Sequence, residues 1–349
     1  MAYATIDDPS AYFKVQLYTG DGGTTQAITF NDTDTNMQPD WVWIKMRSEA
    51  QAHILVDSVR GANKYLGANH AGAEADDINS VTAFGSDGFT VGNDDSVNKN
   101  TGTYVSWSWK AGTTSGLSGG NITPSSYSFN VSAGFGIYKY TGNGSSDQTI
   151  PHGLGKKPQM VFFKRLDSGT NWVTQSNTSG NRVQMVLNDT SAYNTDSRLG
   201  ASDSWDTTNF NVGTYGDMNS SGDPHVAYVF CNIKGYSKVG EYLGNNNANG
   251  PFVHTGFRPA WFIIKRTGST DGWLMGDNKR IGYNDGNYWV EANVNDNEDG
   301  GTADRIDILS NGFKINNAWS KINAADTYLY MAFADAPLVN SNGIPVNAR

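Results

Sequence analysis

Three apolar runs in this chain follow one pattern. Trp41-Val-Trp-Ile-Lys45, Met160-Val-Phe-Phe-Lys164 and Trp261-Phe-Ile-Ile-Lys265 each begin two residues after a proline, at Pro39, Pro158 and Pro259. Apolar side chains at both odd and even positions predict central strands covered on both faces. An aromatic-glycine turn precedes each run, at Tyr18-Thr-Gly20, Tyr140-Thr-Gly142 and Tyr242-Leu-Gly244. Eight residues after each lysine a bulky residue, His53, Trp172 or Trp273, opens another short apolar run. A turn-plus-aromatic signal follows at Asp87-Gly-Phe89, Thr208-Asn-Phe210 and Asn311-Gly-Phe313. Glycine beside Asn or Asp accepts the positive φ of a primed turn, so Asp87-Gly88 and Asn311-Gly312 predict hairpins.

Fifteen residues beyond each phenylalanine a last run begins, at Tyr104, His225 and Tyr328. Its alternate positions are large and apolar: Val105, Trp107 and Trp109, then Val226, Tyr228 and Phe230, then Leu329, Met331 and Phe333. Ser106 and Ser108 on the opposite side predict one buried and one polar face. Five landmarks in one order describe three copies of a unit of roughly 100 residues, large enough to bury its own core. The expected fold class is all-β, with three tandem antiparallel β-sandwich domains of jelly-roll or lectin-like type. They span residues 1–112, 134–235 and 236–349. The Gly/Ser-rich start of residues 113–133 predicts a hinge, and Tyr127, Phe129 and Val131 alternate with polar residues like an extra strand. Each copy is expected to fold as its own bead, with copies one and two hinged. The short junction Asn232-Ile-Lys-Gly-Tyr-Ser-Lys-Val-Gly240 predicts that copies two and three touch and hold a defined angle.

Composition narrows the class further. The 40 glycines and 12% aromatic residues suit short strands and tight turns, and no stretch has the length, period and caps of a helix. A formal charge of −9 argues against nucleic acid and anionic membranes, which are gripped through many cations. No apolar run reaches membrane-spanning length, and the opening residues lack the basic and apolar regions of a signal peptide. The expectation is a soluble chain without membrane insertion. Cys231 has no partner for an internal disulfide and ends a predicted core strand, the place of a small apolar residue.

Catalytic chemistry needs unusual residues gathered in one place. The five histidines fall at separate points of the repeat, without zinc-ligand spacing, and neither a nucleophile elbow nor a phosphate-binding loop occurs. No enzyme, metal or cofactor is expected. His152 and His254 sit at equivalent places just before central runs and are candidate ligand contacts, against the simpler reading of turn histidines bonded to backbone. Asp57 with Arg60 and Asp277 with Arg280 recur three apart, where the second copy has Ser176 and Ser179. Such a pair can grip a sugar or carboxylate, though a loop salt bridge is the plainer account. Acidic clusters at Asp76-Asp77, Asp94-Asp95 and Asp296-Asn-Glu-Asp299 read as solvated loops before they read as calcium ligands. Loop aromatics suit stacking on sugar faces, which adds Tyr193, Tyr215, Tyr283 and Trp319 as candidates.

A set of motifs spread over nearly the whole chain carries a resemblance. The set comprises Ala4-Thr-Ile-Asp-Asp-Pro9 with Tyr12-Phe13, Pro39-Asp-Trp-Val-Trp-Ile-Lys45, Asp57-Ser-Val-Arg-Gly61, Ser86-Asp-Gly-Phe89 and Tyr104-Val-Ser-Trp-Ser-Trp109. It continues in Gly153-Leu-Gly-Lys-Lys-Pro158, Lys234-Gly-Tyr-Ser-Lys-Val-Gly240 and Gly256-Phe-Arg-Pro-Ala-Trp261. Together they resemble a family of virion proteins of tailed bacteriophages of marine and cyanobacterial type. The resemblance implies a tail or fibre component, located in the virion and assembled in the host cytoplasm, with no catalytic residues to carry over. One expected role is receptor binding, with weak sites for a host-surface glycan or protein multiplied by repetition. The alternative is an architectural piece decorating capsid or tail through protein contacts alone. Expected partners are other virion proteins and further copies of the chain.

Overall fold

The computed structural model describes residues 4–30, 35–180, 182–281, 284, 287–301 and 305–346. Three large antiparallel sheets repeat one strand order. Sheet 1 runs Phe13–Thr19, Thr103–Trp109, Trp41–Met46, Ile54–Asp57, Lys64–Gly67, Ala75–Asp76. Sheet 2 runs Phe135–Thr141, Pro224–Cys231, Pro158–Arg165, Val173–Ser176, Val183–Val186, Asn194–Thr195, with Ser126–Asn130 added outside its first strand. Sheet 3 runs Ser237–Leu243, Thr327–Pro337, Phe257–Arg266, Leu274–Asp277, Asn287–Glu291, Asp299–Gly301. The apolar runs are thus the central strands, and the added strand falls where Tyr127 and Phe129 alternate with polar residues.

A small sheet covers one face of each large one. Val42, Ile44, Met46 and Tyr104 pack with Ile28, Phe89 and Val91, which lie on Gln26–Thr29 and Gly88–Val91. This is the expected antiparallel sandwich. Ser106 and Ser108 depart from the expected polar face: both are 0% exposed, because the cover closes that side as well. The hairpins form, shifted by one residue. Gly85 pairs with Gly88 and Leu309 with Gly312, so the loops are Ser86-Asp87 and Ser310-Asn311. Glycine is required at 88 and 312 by close approach, since a Cβ there would lie 2.0 Å from the carbonyl oxygen of Ile28 or Val253.

The Tyr-x-Gly turns are pinned by asparagines that no motif revealed. Asn98, Asn219 and Asn323 close the single-turn helices Asp95–Asn98, Gly216–Asn219 and Ser320–Asn323 and are fully buried. Their side-chain oxygens accept from the N–H of Asp21, Asn143 and Asn245 at 2.9, 2.8 and 2.8 Å. The hydroxyls of Tyr18, Tyr140 and Tyr242 donate to the same helices, at Val97, Met218 and Ile322. Both interactions satisfy polar groups that burial would otherwise penalise.

The second faces of the large sheets meet one another in a common core, which contradicts self-contained beads and a hinge between the first two copies and goes beyond the contact expected between the second and third. Trp41 of sheet 1 stacks on Tyr228 of sheet 2 at 4.6 Å, Trp109 meets Trp261 of sheet 3 at 5.4 Å, and Phe230 of sheet 2 meets Phe333 of sheet 3 at 6.1 Å. The physical reason lies in the sandwiches themselves. A cover on one side leaves the tryptophan-rich other side bare, and only another sheet can dry so large an apolar area.

Hydrogen bonds close the three sheets in a ring. Trp172 Nε1 donates to Gly67 O at 2.8 Å, Trp273 Nε1 to Val186 O at 2.8 Å, and His53 Nε2 to Glu291 O at 3.1 Å. These are the three bulky residues placed eight after each lysine. Backbone bonds repeat the circuit, from Glu74 N to Leu166 O, Tyr193 N to Thr267 O and Glu298 N to Arg47 O. The expected hinge starts in a fixed place, with Thr113 and Phe129 exchanging backbone bonds of 2.9 and 3.0 Å. Near the other end of the circuit, Asp7 accepts from Ser341 N at 2.7 Å.

Candidate binding sites

The Asp-Arg pairs lie inside the ring, away from solvent. Asp57 ends the strand Ile54–Asp57 of sheet 1, and its Oδ1 accepts from the N–H of Val59 and Arg60 at 3.0 and 2.8 Å, which folds the turn back on itself. Arg60 Nε donates to Asp57 Oδ2, and Arg60 also reaches Glu74 at 3.2 Å and Leu55 O at 3.0 Å. Tyr228 of sheet 2 donates its hydroxyl to Asp57 Oδ2 at 2.7 Å. Burial alone would lower the Arg60 pKa, but the adjoining Asp57, Tyr228 and Glu74 outweigh it and the pKa rises. Asp277 and Arg280 repeat the arrangement at 2.6 Å, with Glu298 at 3.0 Å and Trp107 Nε1 of sheet 1 donating to Asp277 at 3.1 Å. Both pairs are therefore seam fastenings, and a sugar cannot reach them.

Of the lysines that end the central runs, Lys45 and Lys265 also reach across a seam, whereas Lys164 bonds only within its own unit. Lys45, Lys164 and Lys265 are buried, and their ammonium groups are caught by backbone carbonyls. Lys45 reaches Met46 O at 2.7 Å and Asn295 O of sheet 3's loop at 3.3 Å. Lys164 reaches Arg165 O at 2.8 Å, and Lys265 reaches Thr190 O of sheet 2's loop at 3.0 Å. Burial, only partly offset by nearby carboxylates, brings each pKa down to about 8.

The two candidate histidines are not equivalent. Main-chain pairing aligns His152 with Thr255, both donating their N–H into the facing hairpin, at Thr208 O and Asn311 O. One residue of slip reverses the face in a strand. His152 is buried, accepts Leu154 N–H on Nδ1 at 3.1 Å and so donates from Nε2 to Asp206 O at 3.2 Å. Burial lowers its pKa, consistent with a neutral turn ring. His254 is exposed.

The aromatic candidates do not converge either. Tyr215 caps a helix and lies under Arg198 at 4.9 Å, and Trp319 lies under Arg305 at 3.9 Å. Tyr283 lies outside the described residues. Tyr193 is 47% exposed and borders a shallow groove of about 190 Å³ with Thr178, Ser179, Glu241, Thr267 and Thr327.

One larger cleft, of about 500 Å³, opens where sheets 2 and 3 join. Ile233, Lys234, Ser237, Lys238, His254 and Leu338 are among its lining residues. Lys238 Nζ donates to His254 O at 2.6 Å, and its pKa is lowered by burial. The sequence signal for this site was the Lys-Gly-Tyr-Ser-Lys motif, read as a junction and not as a lining.

A family model described as a domain of unknown function, DUF7483, matches residues 8–337, without a break between the three sheets. No curated protein matches the chain.

Proposed function

The chain belongs to this DUF7483 family, and we propose that it is a non-enzymatic structural protein of a tailed-bacteriophage particle, held in place by protein contacts. The observation that carries the reading is the closed ring. Polar side chains, including Asp57, Arg60, Asp277, Arg280, His53, Lys45 and Lys265, are consumed in fastening sheet to sheet. Such a block resists deformation and offers its outer loops and edges to neighbours. Assignment to a phage rests on the motif resemblance alone. Electron microscopy of particles carrying a tagged chain tests it: density for the chain on tail or capsid is expected, and particles complete without the chain would refute it.

One observation favours host contact as a second role. Tyr193 exposes its ring beside a groove edged by the hydroxyl-bearing Thr178, Ser179, Thr267 and Thr327, a combination suited to stacking on a sugar. Adsorption of purified protein to host cells, lost in Tyr193→Ala, is the expected result under that reading. Unchanged adsorption in the variant counts against it.

A further inference from the structure

The cleft beside Lys238 has a counterpart in sheet 2 that is already filled. Lys238 faces Ala332 on the neighbouring strand as Gly136 faces Val229, which makes Lys238 and Gly136 equivalent. The alignment of Thr255 with His152 likewise makes Gly256 the equivalent of Gly153. In sheet 2 the added strand sets Phe129 opposite Gly136. The Phe129 ring lies 2.7 Å from where a Cβ on Gly153 would stand. Thr113 then covers Phe129 from outside.

Sheet 3 has no such strand among the described residues. At the equivalent positions Lys238 stands where sheet 2 has Gly136 and His254 where it has Pro151, with Lys234 also on the lining, and no Asp or Glu occurs among the described lining residues. The cleft therefore lies where an extended peptide is accepted in sheet 2, keeps glycine at 256 as at 153, and gains a basic group with Lys238 in place of Gly136. The edge groups of Ser237 and Val239 are already bonded to Ile233 and to the Asn232 side chain, so recognition here falls to side chains.

We propose that this cleft receives an extended acidic peptide segment of a partner protein, with an aromatic side chain over Gly256 and carboxylates at Lys238 and His254. The inference deepens the assembly reading and rests on it for the occupant being a protein. Charge complementarity sets the sign of the ligand, and the filled twin sets its form.

The probe is a synthetic heptapeptide copying residues 125–131 with Asp in place of Ser126, Ser128 and Asn130, titrated into the full chain by calorimetry. Binding is expected, weakened about tenfold or more by Lys238→Glu or His254→Glu, while thermal melting shows each variant still folded. The same peptide with Ala in place of Phe129 should bind less well. Equal binding of a version with Lys at the three substituted positions, or no binding of the acidic peptide, overturns the proposal. Displacement by an oligogalacturonate that binds more tightly also overturns it, in favour of a sugar site. Failure of the particle-location experiment leaves these titrations readable, so the two ideas fall separately.

Discussion

At the seam between sheets 1 and 2, Tyr228 donates to a carboxylate that also holds Arg60, all three buried. At the seam between sheets 2 and 3 the corresponding positions are Met331, Ser176 and Ser179. Donor and acceptor have changed together: without an O–H or N–H aimed across the seam, the facing strand end carries no carboxylate. What the two seams share is the indole bond to a carbonyl, from Trp172 or Trp273, and the backbone bond beside it. Closure therefore comes from apolar burial and these bonds, and the ion pair is an addition to them. A buried ion pair adds little net stability, because desolvation offsets attraction, yet losing one partner is severe.

The contrast can be broken most forcefully with Asp57→Ala, which strands Arg60 and the Tyr228 hydroxyl in the core. A loss of about 3–5 kcal/mol is expected in denaturant unfolding, against a small loss for Ser176→Ala. Similar costs for the two would void the comparison. The triple change Asp57→Ser, Arg60→Ser and Tyr228→Met imports the sheet 2–3 chemistry, and it should cost less than Asp57→Ala alone.

Next in size is Trp273→Phe, which removes the indole N–H and leaves Val186 O without that partner. A loss of about 1–3 kcal/mol is expected, alike for Trp172→Phe, since this fastening is common to both seams. A twofold disparity between them would show that the seams are not matched.

The pH effects are smaller and fall differently on the seams. His53 is held neutral, accepting Trp43 Nε1–H at 2.9 Å and donating to Glu291 O. Burial, then Lys45, keeps its pKa well below the ordinary 6.5. Below that pH the unfolded chain binds a proton that the folded chain refuses, so stability declines as pH falls through 6.5 and lower. His152 and His225 act in the same direction. A melting curve flat from pH 7 to about 5 would contradict this linkage. The lysines have the opposite window: with folded values of about 8 against 10.5, the unfolded chain holds more protons between the two, so stability rises with pH there. Melting temperature should therefore climb modestly on the alkaline side of pH 8.

The strands could be read from sequence because alternation is local. Trp41 to Lys45 announces a strand covered twice, and Val105, Trp107 and Trp109 announce a buried face. Alternation cannot say what supplies the second cover. A neighbouring bead, a partner protein and a ring of sheets all leave Trp41 dry, so the common core was invisible until the sheets met. The asparagine pins escaped for a different reason. Asn98 stands in a polar stretch like many others, and only burial distinguishes it. His254 looks equivalent to His152 because both stand just before a central run, but strand pairing decides the register and aligns His152 with Thr255. The Asp-Arg pairs were found as a motif, but their burial depends on contacts with distant strands, at Tyr228 and Trp107.

The meeting of Asp7 with Ser341 makes the order of the three sheets circular in space as well as in symmetry. A rearranged gene that joined those two segments and opened the chain between Gly112 and Asn121 should yield the same object, since no sheet is first or last around a triangle. Such a chain would move the free ends from one corner to another, and with them the place where a fusion partner can be hung.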